Sequence, residues 1–371
     1  MVRRRVSAVS NHEASDKPFD IRIGNVGISK RNGGAERTTS VKNLLTDIAG
    51  VRVGHADDAR LASGVTAIVF DKPAVAAIDV RGVGPGTREE AALRPESTVE
   101  AVDGFALSGG SALGLDAAGG VQAWLAEQGR GFRIRDAVIP IVPGAICFDL
   151  LNGGDKAWGR YPPYRDLGYA AAAAAGSGFA LGSAGAGLGA TTANFKGGLG
   201  SASAMTSGGA LVAALVVVNA VGSVTVGDGP WFWAAPFEVA GEFGGRGMPA
   251  AFTPDMLALR LKGGAAASSA ENTTIAAVVT DAILTKAQAK RLAMIAQTGL
   301  ARAIYPVHAP LDGDTVFVGA TCEKPIQPVL GLTELGAVAA NVLTRAIARG
   351  VYEAKALAFP GALPAWKDRF G

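Results

Sequence analysis

Glu271-Asn272-Thr273-Thr274-Ile275 joins two unlike stretches of this chain. Upstream, residues 247–272 hold Pro254, Lys262, Gly263, Gly264, an alanine run and Ser268–Ser269, the composition of an accessible linker. Downstream, residues 274–280 are apolar and β-branched, a pattern that predicts a buried strand. A linker abutting a buried strand is what a cleavage site requires. A cut before Thr273 would give this threonine a free α-amino group, whose pKa of about 7.7 to 8.0 lets it accept the proton of a neighbouring hydroxyl. Thr273 would then be both nucleophile and base. The alternative is an ordinary strand threonine after a turn.

Working outward, Thr285 with Gln288 forms a capping box for an amphipathic helix running to about Ile304. Leu211–Val218 reads as a buried strand that ends at Asn219, and Trp231, Phe232 and Trp233 cluster between Pro230 and Pro236. That cluster either lines a groove or seals a subunit contact. Residues 176–200 mix glycine with alanine, serine and threonine, either as a ligand-facing loop or as tight packing of small residues. Earlier, residues 51–53, 65–70, 74–80 and 138–150 read as β-rich, and 112–128 as a helix stopping near Gly129. Residues 1–42 are polar and without hydrophobic period, so they read as a flexible tail, with the fold starting near Asn43. Strands followed by helices point to a layered α/β fold with one large core.

Composition narrows the function classes. The 371 residues are 49% hydrophobic and 18% charged, and the 51 glycines show no three-residue period, which excludes collagen and bulk disorder. A net charge of +3 without a dense basic stripe gives nucleic-acid binding no support. The longest apolar run, Leu211–Val218, is too short to span a bilayer, and no apolar segment follows the N-terminal arginines, so no membrane partner is expected. Cys147 and Cys322 lie in apolar surroundings and read as reduced core thiols of a cytoplasmic protein.

Other motifs fall short. Gly109-Gly110-Ser111-Ala112-Leu113 lacks the final glycine of a nucleophile elbow, and Gly185, Gly187 and Gly189 lack dinucleotide-binding spacing. The three histidines, His12, His55 and His308, have no metal-ligand spacing, and Asp312 with Asp314 lacks the remaining ligands of a calcium loop. Neither a metal nor a cofactor is expected.

Ordered motifs at 43–55 (NLLTDIAGVRVGH), 79–87 (DVRGVGPGT), 107–115 (LSGGSALGL), 194–200 (NFKGGLG), 218–222 (VNAVG), 272–275 (NTTI) and 312–317 (DGDTVF) carry a resemblance to the DmpA-type aminopeptidases. Within that family the chain looks most like the nylon-oligomer (6-aminohexanoate oligomer) endohydrolases. The resemblance implies an N-terminal-nucleophile-like α/β/β/α sandwich whose precursor cuts itself. The large chain would be 43–272 and the small chain 273–371, with cleavage between Asn272 and Thr273. It also implies homo-oligomers, commonly tetramers of the processed heterodimer.

Carried across by motif, the nucleophile falls on Thr273, the paired acids on Asp312 and Asp314, the lysine on Lys196 and the asparagine on Asn219. Lys196 would sit near Thr273 and the aspartates and tune the nucleophile. Asn219 would donate to the developing oxyanion, against the alternative of a turn asparagine. The aspartates would orient the Thr273 amine, or one would keep a raised pKa and shuttle a proton. Relatives place a tyrosine where this chain has Phe148, so a phenol would have to come from Tyr161 or Tyr164. The expected activity is hydrolysis of linear amides, nylon-type oligomers first and N-terminal residues of short peptides second. Phe148, Trp231 and Trp233 are the expected substrate-binding walls.

Overall fold

The computed structural model describes residues 41–263, 272–310 and 312–371. The tail assigned to 1–42 therefore lies almost wholly outside the described residues, as do linker residues 264–271. The strands are β1 (Val51–Asp58), β2 (Ser63–Val80), β3 (Thr87–Arg88), β4 (Val102–Ser108), β5 (Phe132–Ile134), β6 (Ala137–Ile139), β7 (Gly144–Ile146), β8 (Gly198–Met205), β9 (Leu211–Val218), β10 (Ile275–Ala282) and β11 (Thr315–Lys324). The α-helices are α1 (Ala117–Glu127), α2 (Tyr164–Ala173), α3 (Lys286–Ala296), α4 (Thr298–Ala303), α5 (Leu330–Tyr352) and α6 (Trp366–Phe370).

The long strand β2 makes the architecture. Its first half pairs with β1 and β4; after a register shift between Val69 and Ala74, its second half pairs with β11. Exposed Asp71, Lys72 and Pro73 mark the crossing, where proline cannot donate to a ladder. From there the order runs β2-β11-β10-β9-β8 on one side and β2-β4-β7-β3 on the other.

Strand periodicity sorts the core into layers. Along β9, Val212, Ala214, Val216 and Val218 join Leu292, Leu300, Leu343 and Ile347 of α3, α4 and α5. The intervening Ala213, Leu215 and Val217 pack with Ile68, Phe70 and Phe105 from the other half of the sheet. Val65, Ala67 and Val69 of β2 pack with Val121 and Leu125 of α1 and Ala171 of α2. The result is the expected α/β/β/α sandwich. α5 has the length and apolarity of a membrane span, yet its window is 61% buried and its core residues pack in the β9 layer.

Three segments differ from the pattern reading. The helix expected to reach Ile304 stops at Ala296 and restarts at Thr298, whose hydroxyl bonds back to Ile295 O. The helix expected over 112–128 begins as a 3-10 turn, Ser111–Asp116, before α1. The apolar run 138–150 is not one strand: Pro140 and Pro143 separate β6 from β7.

Register then brings distant residues to one edge. Ile275 pairs with Thr315 in parallel and with Val217 antiparallel, while Gly198 faces Val218. Lys196 precedes β8, Asn219 follows β9, Thr273 precedes β10 and Asp314 precedes β11. All of them leave the same end of the sheet.

Candidate active site

The peptide between Asn272 and Thr273 is buried and held at both ends. Its N–H donates to Asn219 O at 2.9 Å, and its carbonyl accepts from Gly313 N–H at 3.1 Å. The Thr273 hydroxyl donates to that same carbonyl. A hydroxyl therefore lies against the carbonyl group it would attack, and a backbone N–H polarises the oxygen on which charge would develop. Gly313 must be glycine for this approach: a Cβ there would come within 2.5 Å of Gly84 O and 2.8 Å of Thr273 Oγ1. The 79–87 motif thus packs directly on the Asp312–Asp314 turn, with Gly84 N–H donating to Asp312 O at 2.9 Å.

The two aspartates of that turn are held unequally. Asp314 Oδ1 accepts from Thr274 N–H at 3.0 Å, and Oδ2 accepts from His308 N–H at 3.1 Å and from His308 Nδ1 at 2.9 Å. Among the described residues, the Asp312 carboxyl has only long contacts, Val221 N–H at 3.3 Å and Ala309 N–H at 3.4 Å. Burial, then the neighbouring Asp314 charge, pushes the Asp312 carboxyl up to about 7 against the opposing pull of those N–H groups and Lys262. Two neighbouring carboxyls with unlike surroundings are the arrangement that separates a proton carrier from a fixed anion.

Lys196 is buried, with Nζ donating to the carbonyls of Gly187 (3.0 Å), Ala190 (2.7 Å) and Gly197 (3.0 Å). The glycine-rich segment 185–198 is thus a cage for one ammonium. Burial brings the Lys196 pKa down to about 7, with Cys147 and Asp149 pulling it back up and Lys262 lowering it. Among the described residues, the Lys196 Nζ hydrogen bonds go to this cage rather than to Thr273 or the aspartates, where the resemblance put it.

Asn219 connects the two groups. Its backbone carbonyl takes the Thr273 N–H, its Oδ1 accepts from Thr191 N–H (3.0 Å) and Lys262 Nζ (2.9 Å), and its Nδ2 donates to Phe148 O (2.9 Å). These donors fix which way the amide faces.

Beside it opens a cavity of about 470 Å³ lined by Phe148, Asp149, Thr191, Lys196, Lys262 and Leu363, among others. Its volume suits a small ligand. Trp231 and Trp233 line none of the described cavities. A bridge between Thr225 and Phe232 sends Phe232 into the core and leaves its two neighbours facing the other way. Trp233 instead stacks on Phe252, ring centroids 6.3 Å apart, and meets Tyr305 at a tilt of 57°, centroids 5.7 Å apart. Tyr164 is buried with its hydroxyl on Ser63, and Tyr161 is exposed. Among the described residues, no group of three or more His, Cys, Asp or Glu is placed to hold a metal ion.

Sequence reasoning missed His308, Gly313 and Lys262 as site residues. His308 was weighed only as a metal ligand, although it lies six positions before Asp314.

Several known proteins are similar to this chain. The family model Peptidase family S58 matches residues 43–362. An uncharacterized aminopeptidase of Mycobacterium tuberculosis is 42% identical over 347 residues, covering 88% of this chain and 98% of the relative. A 6-aminohexanoate-oligomer endohydrolase of a Kocuria species is 28% identical over 327 residues, covering 84% and 86%. The L-aminopeptidase D-Ala-esterase/amidase of Ochrobactrum anthropi, described as a variant of the Ntn hydrolase fold, superposes with a TM-score of 0.62 at 21% identity, covering 86% and 88%.

Proposed function

Because the chain belongs to peptidase family S58 and is a hydrolase acting on amide bonds, we propose that it is a precursor that cuts itself between Asn272 and Thr273. It then works as an N-terminal-threonine aminopeptidase on short peptides. The observation that carries this reading is the Thr273 hydroxyl against the Asn272 carbonyl, whose oxygen Gly313 N–H holds.

In maturation Thr273 Oγ1 adds to the Asn272 carbonyl carbon and passes its proton to a base, for which Asp312 has the suited pKa. The C–N bond breaks, the nitrogen takes a proton, and an ester joins Asn272 to Thr273 Oγ1. Water hydrolyses the ester, leaving the Asn272 carboxylate and a free Thr273 amine. Asn219 O, which already accepts the Thr273 N–H, keeps that amine in place. In turnover the amine or Asp312 takes the hydroxyl proton, and the substrate acyl group passes to Oγ1 as its C–N bond breaks and the departing amine takes that proton. Water then hydrolyses the ester to release the acyl group as a carboxylate.

The substrate class is where expectation moves. Relatives at 42% identity are named aminopeptidases, whereas the nylon-oligomer hydrolases stand at 28%. That ordering supports aminopeptidase action as the main activity and oligomer hydrolysis as a second reading, which the apolar Leu357 and Leu363 of the cavity wall also suit. Free Cys147 and Cys322 support a reducing compartment. A substrate panel tests the assignment: strict dependence on a free N-terminal amine supports the aminopeptidase, and efficient internal cleavage of long 6-aminohexanoate oligomers overturns it.

A further inference from the structure

His308 belongs to no strand or helix and adopts a left-handed backbone, with φ of 54°. Such a conformation in a non-glycine residue costs free energy and persists where the surroundings over-determine it. Here the surroundings are one oxygen. The His308 backbone N–H and Nδ1 both meet Asp314 Oδ2, at 3.1 and 2.9 Å. An ionised carboxylate only accepts, so Nδ1 carries the hydrogen and Nε2 points away.

Among the described residues, the imidazole is the only side chain donating to the Asp314 carboxylate. The other carboxylate oxygen holds Thr274 N–H, and the Asp314 backbone carbonyl accepts from Arg81 N–H at 2.9 Å. The Arg81 guanidinium is engaged with Asp79 at 2.6 Å rather than with Asp314. Within the turn, Asp312 N–H bonds back to Ala309 O at 2.9 Å. His308 therefore pins the start of the loop to its end. Gly313, next to that end, is the donor to the Asn272 carbonyl.

We propose that His308 is a positioning residue: by holding Asp314 on Thr274 N–H, it keeps Gly313 N–H on the Asn272 carbonyl. The proposal rests on the reading of Thr273 as nucleophile.

The test compares His308→Gly with His308→Asn. Glycine keeps the left-handed backbone without strain and removes the donor, while asparagine tolerates that backbone and offers a side-chain N–H near the Nδ1 position. His308→Gly is expected to slow self-cleavage, followed by intact mass, by roughly ten- to hundredfold, the range for a hydrogen bond to a charged group. In the fraction that matures, kcat falls while KM holds. His308→Asn restores both rates to within about threefold of the native chain. A His308→Gly chain that self-cleaves and turns over at native rates overturns the proposal, as does an asparagine variant no faster than the glycine one. Thr273→Ala, run alongside, separates the two claims: if it is still cut, the nucleophile reading fails, whereas a native-like His308→Gly with an uncut Thr273→Ala removes only the role of His308.

Discussion

Two loops at one end of the sheet flank Thr273, and they are built on opposite plans. The turn from His308 to Asp314 touches the scissile peptide directly, through Gly313 N–H on its carbonyl and Asp314 on Thr274 N–H. The glycine-rich segment before β8 spends its carbonyls on Lys196, and through Thr191 reaches the peptide only by way of Asn219. The difference separates two tasks. In the proposed reaction the aspartate turn positions the peptide and supplies the base, while the lysine cage shapes the cavity wall.

The largest expected effect comes from removing the proton acceptor. Asp312→Asn should slow self-cleavage by about 10² to 10⁴, the usual range for general-base catalysis. The native pH dependence carries the same information. Because the Asp312 pKa is raised to about 7, the group is protonated and idle below that pH, so self-cleavage should climb as pH rises through 7 and then level off. Lys196, lowered to about 7, loses charge over the same window, so a rate controlled by its ammonium would fall instead. Quenched time courses read by intact mass distinguish the slopes, and a falling rate would hand control to the cage.

Lys196→Met comes next. Since Nζ bonds only the cage carbonyls among the described residues, self-cleavage should drop by less than Asp312→Asn causes. Turnover of added peptide should suffer more, a contrast that parallel assays of the two steps would check. Gly189→Ala tests the cage's packing. A Cβ there would meet Ala62 O and Asp149 Oδ2 at 2.4 Å, so overpacking should cost about 1 to 3 kcal/mol, seen as a lower melting midpoint. Smallest is Trp231→Ala, whose ring lines none of the described cavities. Its kcat/KM should stay within about threefold of native, as for substitutions away from a site, whereas Phe148→Ala should raise KM.

How much was legible follows from how local each signal is. β9 begins and ends where its apolar run does, and the Thr285 cap forms as its spacing with Gln288 predicts, with Gln288 N–H on the Thr285 hydroxyl at 3.3 Å. Both are set by neighbours in sequence. The layered α/β class was readable from strands followed by helices, and the four-layer sandwich came with the family resemblance. What escaped were contacts made by chain closure. The cage around Lys196 needs three carbonyls from a folded loop, and the role of Gly313 needs the Gly84 loop packed against it. Trp231 and Trp233 misled because an aromatic cluster carries no record of which way its backbone bridge turns each ring. Asn219 was expected as an oxyanion donor, yet in the uncut chain its amide nitrogen donates to Phe148 O and its backbone carbonyl takes the Thr273 N–H.

The central claim, that Thr273 frees its own amine, is tested most directly by intact mass of the purified chain with N-terminal sequencing of any fragment. The native protein should give two chains meeting at Asn272 and Thr273, with the smaller beginning at Thr273, and Thr273→Ala should remain whole and inactive. A native protein that hydrolyses amides as a single uncut chain, or a Thr273→Ala variant that is still cut at that bond, would contradict it.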